Sequence, residues 1–283
     1  MTIRAGVIGW PVGHSLSPRL HGYWLKAYGI DGRYDAIPVE PENLEAELRR
    51  LAGEGYAGVN ATVPHKDAAL ALCDRADAAA RAIGAANTLV FRDGKILASN
   101  SDAFGFLENL RQGHPGWRAD AGPAAVLGAG GAARAVVWAL LQEGAPEVRL
   151  VNRTLSRAEA LARDLAGDFG AAVTPLAWEG AGEAAGEALD GAALLVNTTS
   201  LGMAGQPPLE IDLAALPGSA LVTDIVYAPL ETPLLGLARA RGNPTVDGLG
   251  MLLHQARPGF EAWFGVAPEV TPELRVAVLG EAG

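Results

Sequence analysis

One cysteine, Cys73, is present in 283 residues. Its solitude excludes an internal disulfide and a cysteine-built zinc cluster, and it fits a reducing compartment. Lysine is nearly as scarce, because of the 22 basic residues only Lys26, Lys66 and Lys95 are not arginine. Charged residues make up 19% of the chain, too few for a coiled coil or a disordered segment. The net charge of −10 leaves no basic footprint for a nucleic acid or an acidic membrane. A long apolar run is also missing. The most apolar window, 124–141, is interrupted by Gly128, Gly130, Gly131 and Arg134 and does not read as membrane-spanning. The opening Met1-Thr2-Ile3-Arg4-Ala5-Gly6 does not read as a signal peptide. Hydrophobic residues are 49%, enough for two cores in a chain of this length. A soluble, acidic, cytoplasmic protein of two domains is therefore expected.

Strand, loop and helix alternate along the chain. Residues 3–8 form an apolar run read as a buried strand, and Ser17-Pro18 reads as an N-cap with proline at the first helical position, opening a helix to about residue 28. Strands are expected at 34–39 and 56–63. Between them lies a helix over 42–51 with Leu44, Leu48 and Leu51 on one stripe. Two short helices precede a hairpin, 87–91 and 96–99, turning at Asp93-Gly94. A helix is expected over 102–112. After the break at 113–123 a new alternating unit starts, with strands at 124–127, 147–151, 193–196 and 220–223 and helices at 130–143 and 156–165. The glycine- and alanine-rich stretch 171–190 leaves room for one strand and one short helix. Such alternation predicts an α/β fold with mostly parallel sheets.

Gly128-Ala129-Gly130-Gly131-Ala132-Ala133 lies between a predicted strand and a predicted helix and fits G-x-G-x-x-G/A. Gly128 permits the tight turn, Gly130 admits a pyrophosphate to the backbone, and the helix start offers free N–H groups to phosphate. An NAD site places a carboxylate at the end of the next strand to hold the ribose 2′-hydroxyl. Here that strand ends Asn152-Arg153-Thr154, with Arg157 one turn later, and no acid is present. Arginine forks suit a 2′-phosphate, so NADP is the expected cofactor. The alternative makes Arg153 and Arg157 solvated helix-start residues.

On the amino-terminal side, Ser15 and Ser17 sit at a loop-to-helix junction, where hydroxyls either hold a small carboxylate or, for Ser17, merely cap the helix. The stretch Asn60 to Lys66 ends a strand and turns sharply. Lys66 suits proton transfer, because an ammonium can release a proton and a guanidinium cannot. Lys26 and Lys95 persist without such a reason. Asp102 opens a predicted helix and is either an N-cap or a functional carboxylate. The five histidines show no metal-binding spacing, and His65 receives no role.

Taken in order, Gly9 to Pro18, Asn60 to Lys66, Gly84 to Thr88, Asn100-Ser101-Asp102, Gly128 to Ala135, Asn152-Arg153-Thr154, Asn197 to Met203, Asp224 to Pro229 and Gly248 to Gln255 resemble the shikimate/quinate dehydrogenase family. The resemblance covers nearly the whole chain. It implies an amino-terminal substrate domain, 1–102, completed by 249–283, and a Rossmann-like NADP domain, 103–248. The implied reaction is reversible NADPH-dependent reduction of 3-dehydroshikimate to shikimate, on the route to aromatic amino acids. Lys66 and Asp102 would form the catalytic pair. Ser15 and Ser17 would hold the substrate carboxylate with help from Tyr227, and Thr62, Asn87, Asp102 and Gln255 would bond its ring hydroxyls. Gly128, Ala129, Gly130, Gly131, Ala132, Asn152, Arg153, Thr154 and Arg157 would hold the cofactor, with Thr198, Ser200, Met203 and Gly248 toward its nicotinamide end. Ser101 replaces a threonine common in relatives and keeps the hydroxyl, a mild departure, and Ala103 replaces a glycine, which implies ordinary helical backbone there. The implied partner is a small molecule, with the chain a monomer or homodimer. The rivals are a quinate or dual-specificity dehydrogenase, a non-catalytic NADP-dependent sensor, and a methylenetetrahydrofolate dehydrogenase-like enzyme. The last would not explain Ser15, Ser17, Asn87, Asp102 and Gln255 together.

Overall fold

The computed structural model describes residues 2–170, 172–178 and 183–280. It divides into two compact units, Met1–Gly105 with Leu253–Gly283, and Phe106–Leu252. The first contains β1 (Ile3–Gly9), α1 (Ser17–Ala27), β2 (Gly32–Pro38), α2 (Leu44–Gly53), β3 (Gly58–Ala61), α3 (Lys66–Leu72), β4 (Arg75–Ala76), α4 (Ala78–Ile83), β5 (Thr88–Arg92) and β6 (Lys95–Ser99). The chain leaves it within α5 (Asp102–Gly113). The strand order is β2-β1-β3-β5-β6-β4, with β2, β1 and β3 parallel and β5 antiparallel to both β3 and β6. The predicted hairpin turn is there, with Asp93 and Gly94 at φ 51° and 70°.

One face of this sheet packs the leucine stripe of α2: Leu44, Leu48 and Leu51 bury with Ile8, Val59 and Leu89. The helix starts later than its sequence suggests because Pro41–Asn43 form a 3-10 turn. Strand β3 covers only Gly58–Ala61 of the expected 56–63, and the two-residue β4 has no sequence signal beyond its pairing with β6. Ser17 is not the N-cap of α1. Leu16 holds that position without a side-chain bond, Ser17 is the first helical residue, and its N–H donates to Ser15 Oγ at 3.2 Å.

The other face is aromatic. In the parallel register Tyr34, Ala5 and Gly58 are partners across β2, β1 and β3, so three neighbouring side chains share one face. The small residues open a lane: a Cβ on Gly58 would lie 2.2 Å from Trp263 Nε1 and 2.0 Å from the Leu89 carbonyl oxygen. Trp263 crosses that lane and donates to the same carbonyl at 3.0 Å.

The second unit runs β7 (Ala124–Leu127), α6 (Gly131–Gln142), β8 (Val148–Asn152), α7 (Leu155–Phe169), β9 (Val173–Ala177), α8 (Glu183–Leu189), β10 (Leu194–Asn197), β11 (Leu221–Asp224), α9 (Pro233–Ala240), β12 (Thr245–Val246) and α10 (Leu249–Gln255). All its strands are parallel, in the order β12-β11-β10-β7-β8-β9. The chain moves outward from β7 through β8 to β9, then returns to the other side of β7 with β10. That reversal makes the carboxyl ends of β7, β8 and β10 the ligand-binding crevice of a doubly wound sheet. β9 and α8 occupy the stretch 171–190, of which residues 171 and 179–182 lie outside the described residues.

The tail closes on the first unit. α11 (Arg257–Phe264) packs against β1, β3 and β5, and α12 (Pro272–Leu279) packs against α1. Trp24 Nε1 donates to the Glu269 carbonyl at 2.9 Å and Arg19 to the Val278 carbonyl at 2.8 Å. Residues 281–283 of the tail lie outside the described residues. Among the described residues no helix is long and apolar enough to cross a membrane.

Candidate active site

In the first unit the polar side chains converge where β3 and β6 end and β5 begins. Lys66 opens α3 immediately after the Val63-Pro64-His65 turn, and Asp102 opens α5. Lys66 Nζ donates to Asp102 Oδ2 at 2.6 Å, with the two side chains 31% and 11% exposed. The other carboxylate oxygen, Oδ1, accepts from Asn87 Nδ2 at 2.8 Å. Asp102 does not serve as a cap. Asn100 takes that work, accepting the Asp102 N–H at 2.9 Å while its own amide donates to the Ala85 carbonyl. A carboxylate in the first turn also gains from the helix dipole.

Asn87 ties the cluster together. Its oxygen accepts from the Ser101 N–H at 2.9 Å, from the Ser101 hydroxyl and from Thr88 Oγ1, which turns its Nδ2 toward Asp102 and toward Gln255 Oε1 at 3.2 Å. Thr62 follows β3 half-buried, and its hydroxyl has no hydrogen-bond partner among the described residues. Ser15 and Ser17 lie partly buried at the start of α1. The structure therefore brings Lys66, Asp102, Asn87 and Gln255 into one bonded cluster. His65 turns inward, fully buried, with Nε2 at 2.8 Å from the Val39 carbonyl.

In the second unit a cleft of about 540 Å³ opens over the carboxyl ends of β7, β8 and β10. Gly128, Ala129 and Gly130 line it from the first loop, Asn152 and Arg153 from the second, and Thr198 and Ser200 from the third. Gly128 has φ 102°, and a Cβ there would sit 2.8 Å from Thr198 Oγ1, so glycine is required. At Gly130 and Gly131, where α6 begins, a Cβ would meet nothing within 4 Å. Open backbone at a helix start has room and free N–H groups for an anion such as a pyrophosphate. The third loop is held by Asn197, which accepts from the Thr199 N–H and hydroxyl and donates to Asp224 Oδ1 at 3.0 Å. Burial raises the Asp224 carboxyl pKa, against the opposing pull of its hydrogen bonds from Val226, Thr232 and Asn197.

Arg153 and Arg157 are both exposed and their side chains make no hydrogen bond or ion pair among the described residues, but only Arg153 lines the cleft. Asn152 stabilises the turn between them by donating to the Thr154 carbonyl at 2.9 Å. Tyr227 is half-buried after β11, and burial raises its phenol pKa. Met203 is exposed. Ala132 lies in the first turn of α6, and Gly248 packs so closely that a Cβ would lie 2.5 Å from the Ile225 carbonyl. Trp178 and Glu210 also line the cleft, and sequence patterns gave no hint of either. Trp178 adjoins a glycine- and alanine-rich stretch with little hydrophobic contrast.

Two family models match this sequence. Residues 7–89 match the shikimate dehydrogenase substrate binding domain and residues 118–177 match shikimate / quinate 5-dehydrogenase. A curated relative from Rhodospirillum rubrum, named shikimate dehydrogenase (NADP(+)), is 64% identical over 98% of this chain and 97% of its own length. The chain belongs to the shikimate dehydrogenase family. Among solved members of similar fold, the Thermus thermophilus shikimate 5-dehydrogenase in complex with NADP(H) and shikimate superposes with a TM-score of 0.85 at 37% identity, covering 98% of this chain and 99% of its own. The Corynebacterium glutamicum quinate dehydrogenase in complex with NAD reaches 0.89 at 32% identity, covering the same shares.

Proposed function

We propose that this chain is an NADP-dependent shikimate dehydrogenase that reversibly reduces 3-dehydroshikimate to shikimate. The observation that carries the reading is the Lys66–Asp102 pair, held by Asn87 in the unit that matches the substrate-binding domain. The rest of the site follows from the family. Ser15 and Ser17 bind the substrate carboxylate with help from Tyr227, and Thr62, Asn87, Asp102 and Gln255 bond the ring hydroxyls. The open backbone at Gly128, Ala129, Gly130, Gly131 and Ala132 takes the pyrophosphate. Asn152, Arg153, Thr154 and Arg157 take the 2′-phosphate side, with Thr198, Ser200, Met203 and Gly248 toward the nicotinamide. The setting is the cytoplasm, and the chain works as a monomer or homodimer.

When bound, NADPH supplies the hydride. As the substrate carbonyl is reduced, negative charge develops on its oxygen. The Lys66 ammonium stabilises that charge and gives its proton to the oxygen. In the oxidative direction the neutral Lys66 amine takes the proton of the substrate hydroxyl. Asp102 keeps Lys66 in place: one carboxylate oxygen faces the ammonium and the other is tied to Asn87.

The direct test mixes the protein with NADP and shikimate and follows reduced-nicotinamide absorbance, with NAD and quinate as controls. Reduction with shikimate and NADP alone is expected. Comparable rates with quinate would replace the reading with a dual-specificity dehydrogenase, and no reduction from folded, NADP-binding protein would favour a sensor.

Cofactor choice has its own test. The Arg153 and Arg157 side chains lack any partner among the described residues, so replacing both by alanine removes donors without orphaning an acid. The Michaelis constant for NADP should rise about 10- to 100-fold, as expected for lost charge-assisted bonds, while that for NAD should change little. An equal rise for both cofactors would show that the side chains serve structure instead.

A further inference from the structure

Tyr34 lies on β2, two strands away from Asn60 on β3, and its side chain spans the lane above Ala5. Its hydroxyl donates to Asn60 Oδ1 at 2.6 Å. The direction is fixed by what surrounds Asn60. Asn60 Nδ2 lies 2.9 Å from the Asn87 carbonyl, which can only accept, so the amide oxygen must face Tyr34 and the phenol must donate. The second Nδ2 hydrogen goes to Thr88 Oγ1 at 3.1 Å, leaving the Thr88 hydroxyl proton for Asn87 Oδ1 at 3.0 Å. Asn87 then presents its Nδ2 to Asp102, and Asp102 holds Lys66. Every member from Tyr34 to Asn87 is at most 9% exposed, so water does not offer a substitute. The chain of bonds thus joins a phenol on β2 to the proposed acid–base pair across the sheet.

We propose that Tyr34 is a positioning residue for catalysis, setting the geometry of Asp102 and Lys66 through Asn60, Thr88 and Asn87. The proposal rests on the shikimate dehydrogenase reading given above. The ring is well placed for the task. His21 stacks on it with centroids 3.8 Å apart and planes 3° from parallel, and Trp263 flanks it at 6.0 Å. Burial raises the phenol pKa, so the hydroxyl stays a donor throughout the working range. Asn87 has a second anchor in the Ser101 N–H, so losing Tyr34 tilts the amide without flipping it. The expected consequence is slower chemistry with binding largely kept.

The experiment compares the wild type, Tyr34→Phe, Thr88→Val, the double variant and Thr88→Ser, reading kcat and KM for shikimate and NADP together with Tm. Tyr34→Phe keeps the stacked ring and should lower kcat about tenfold, with KM for NADP unchanged. Thr88→Val should do the same, Thr88→Ser should restore most of the loss, and the double variant should be little worse than either single. If Tyr34→Phe turns over within twofold of wild type, or the two losses multiply, the proposal is overturned while the function stands. Wild-type protein that reduces no NADP with shikimate overturns both.

Discussion

Lys66→Arg should lower kcat with shikimate by roughly 10²- to 10⁴-fold, the range that a positioned acid or base contributes. The substitution keeps a cation beside Asp102 and removes the transferable proton, because a guanidinium does not deprotonate in proteins. Lys66 is only partly buried and its one ion pair among the described residues is with Asp102, so the fold should tolerate arginine and the NADP Michaelis constant should stay near its wild-type value. The comparison that decides is kcat against shikimate KM. Acid–base loss lowers kcat with KM little moved, whereas a lost electrostatic contact with substrate raises KM. Turnover close to wild type would reduce Lys66 to a charge that attracts or orients.

How far this site was legible in the sequence depends on how local its signals are. The nucleotide cleft was readable because strand, glycine turn and helix start follow one another within a dozen residues, and Gly128 is demanded by its own backbone angle. The parallel sheet was implied by alternation, since parallel strands need crossovers, but alternation does not say that β10 returns to the other side of β7. Ser17 misled by one position, because proline is as much at home at the second helical residue as at the first and the Ser15 hydroxyl absorbs the Ser17 N–H. For Asp102 the sequence left both a cap and a functional carboxylate open, and the cap reading falls because Asn100 bonds the helix N–H. Strand β4 exists because β6 offers it an edge, which no two-residue pattern can signal. Tyr34 was invisible for the same reason at larger scale: its phenol matters through partners 26 residues away and beyond. The tail after α10 was placed with the first domain by the resemblance alone, and its packing rests on Trp263 crossing Gly58 in a lane that small residues keep open.

His21 should make the first unit acid-labile, and His21→Phe should remove that weakness. The imidazole is fully buried in α1 among Tyr34, Trp24, Phe260 and Trp263, and among the described residues neither ring nitrogen has a hydrogen-bond partner. Burial lowers its pKa to about 3. In the unfolded chain the same group titrates near 6.5. Below that value the unfolded state binds a proton that the folded state refuses, so stability falls as pH falls, by about 1.4 kcal/mol per pH unit, until the folded residue titrates. The loss from this one residue reaches roughly 4–5 kcal/mol by pH 3. Phenylalanine has nearly the same shape, keeps the stack on Tyr34 and brings no unpaired polar atom, so the variant should be no less stable than wild type at neutral pH. Urea unfolding followed by tryptophan fluorescence at pH 7, 6, 5 and 4.5 provides the check. The stability gap in favour of His21→Phe should widen by roughly 2–3 kcal/mol between pH 6.5 and 4.5. Asp224 titrates in the opposite sense, since its raised pKa gives stability that is lost as pH rises, but it is common to both proteins and cancels in the difference. Parallel stability curves would mean that His21 gains its proton as readily folded as unfolded, and the aromatic cage would then have to admit a charge that nothing around it is placed to receive.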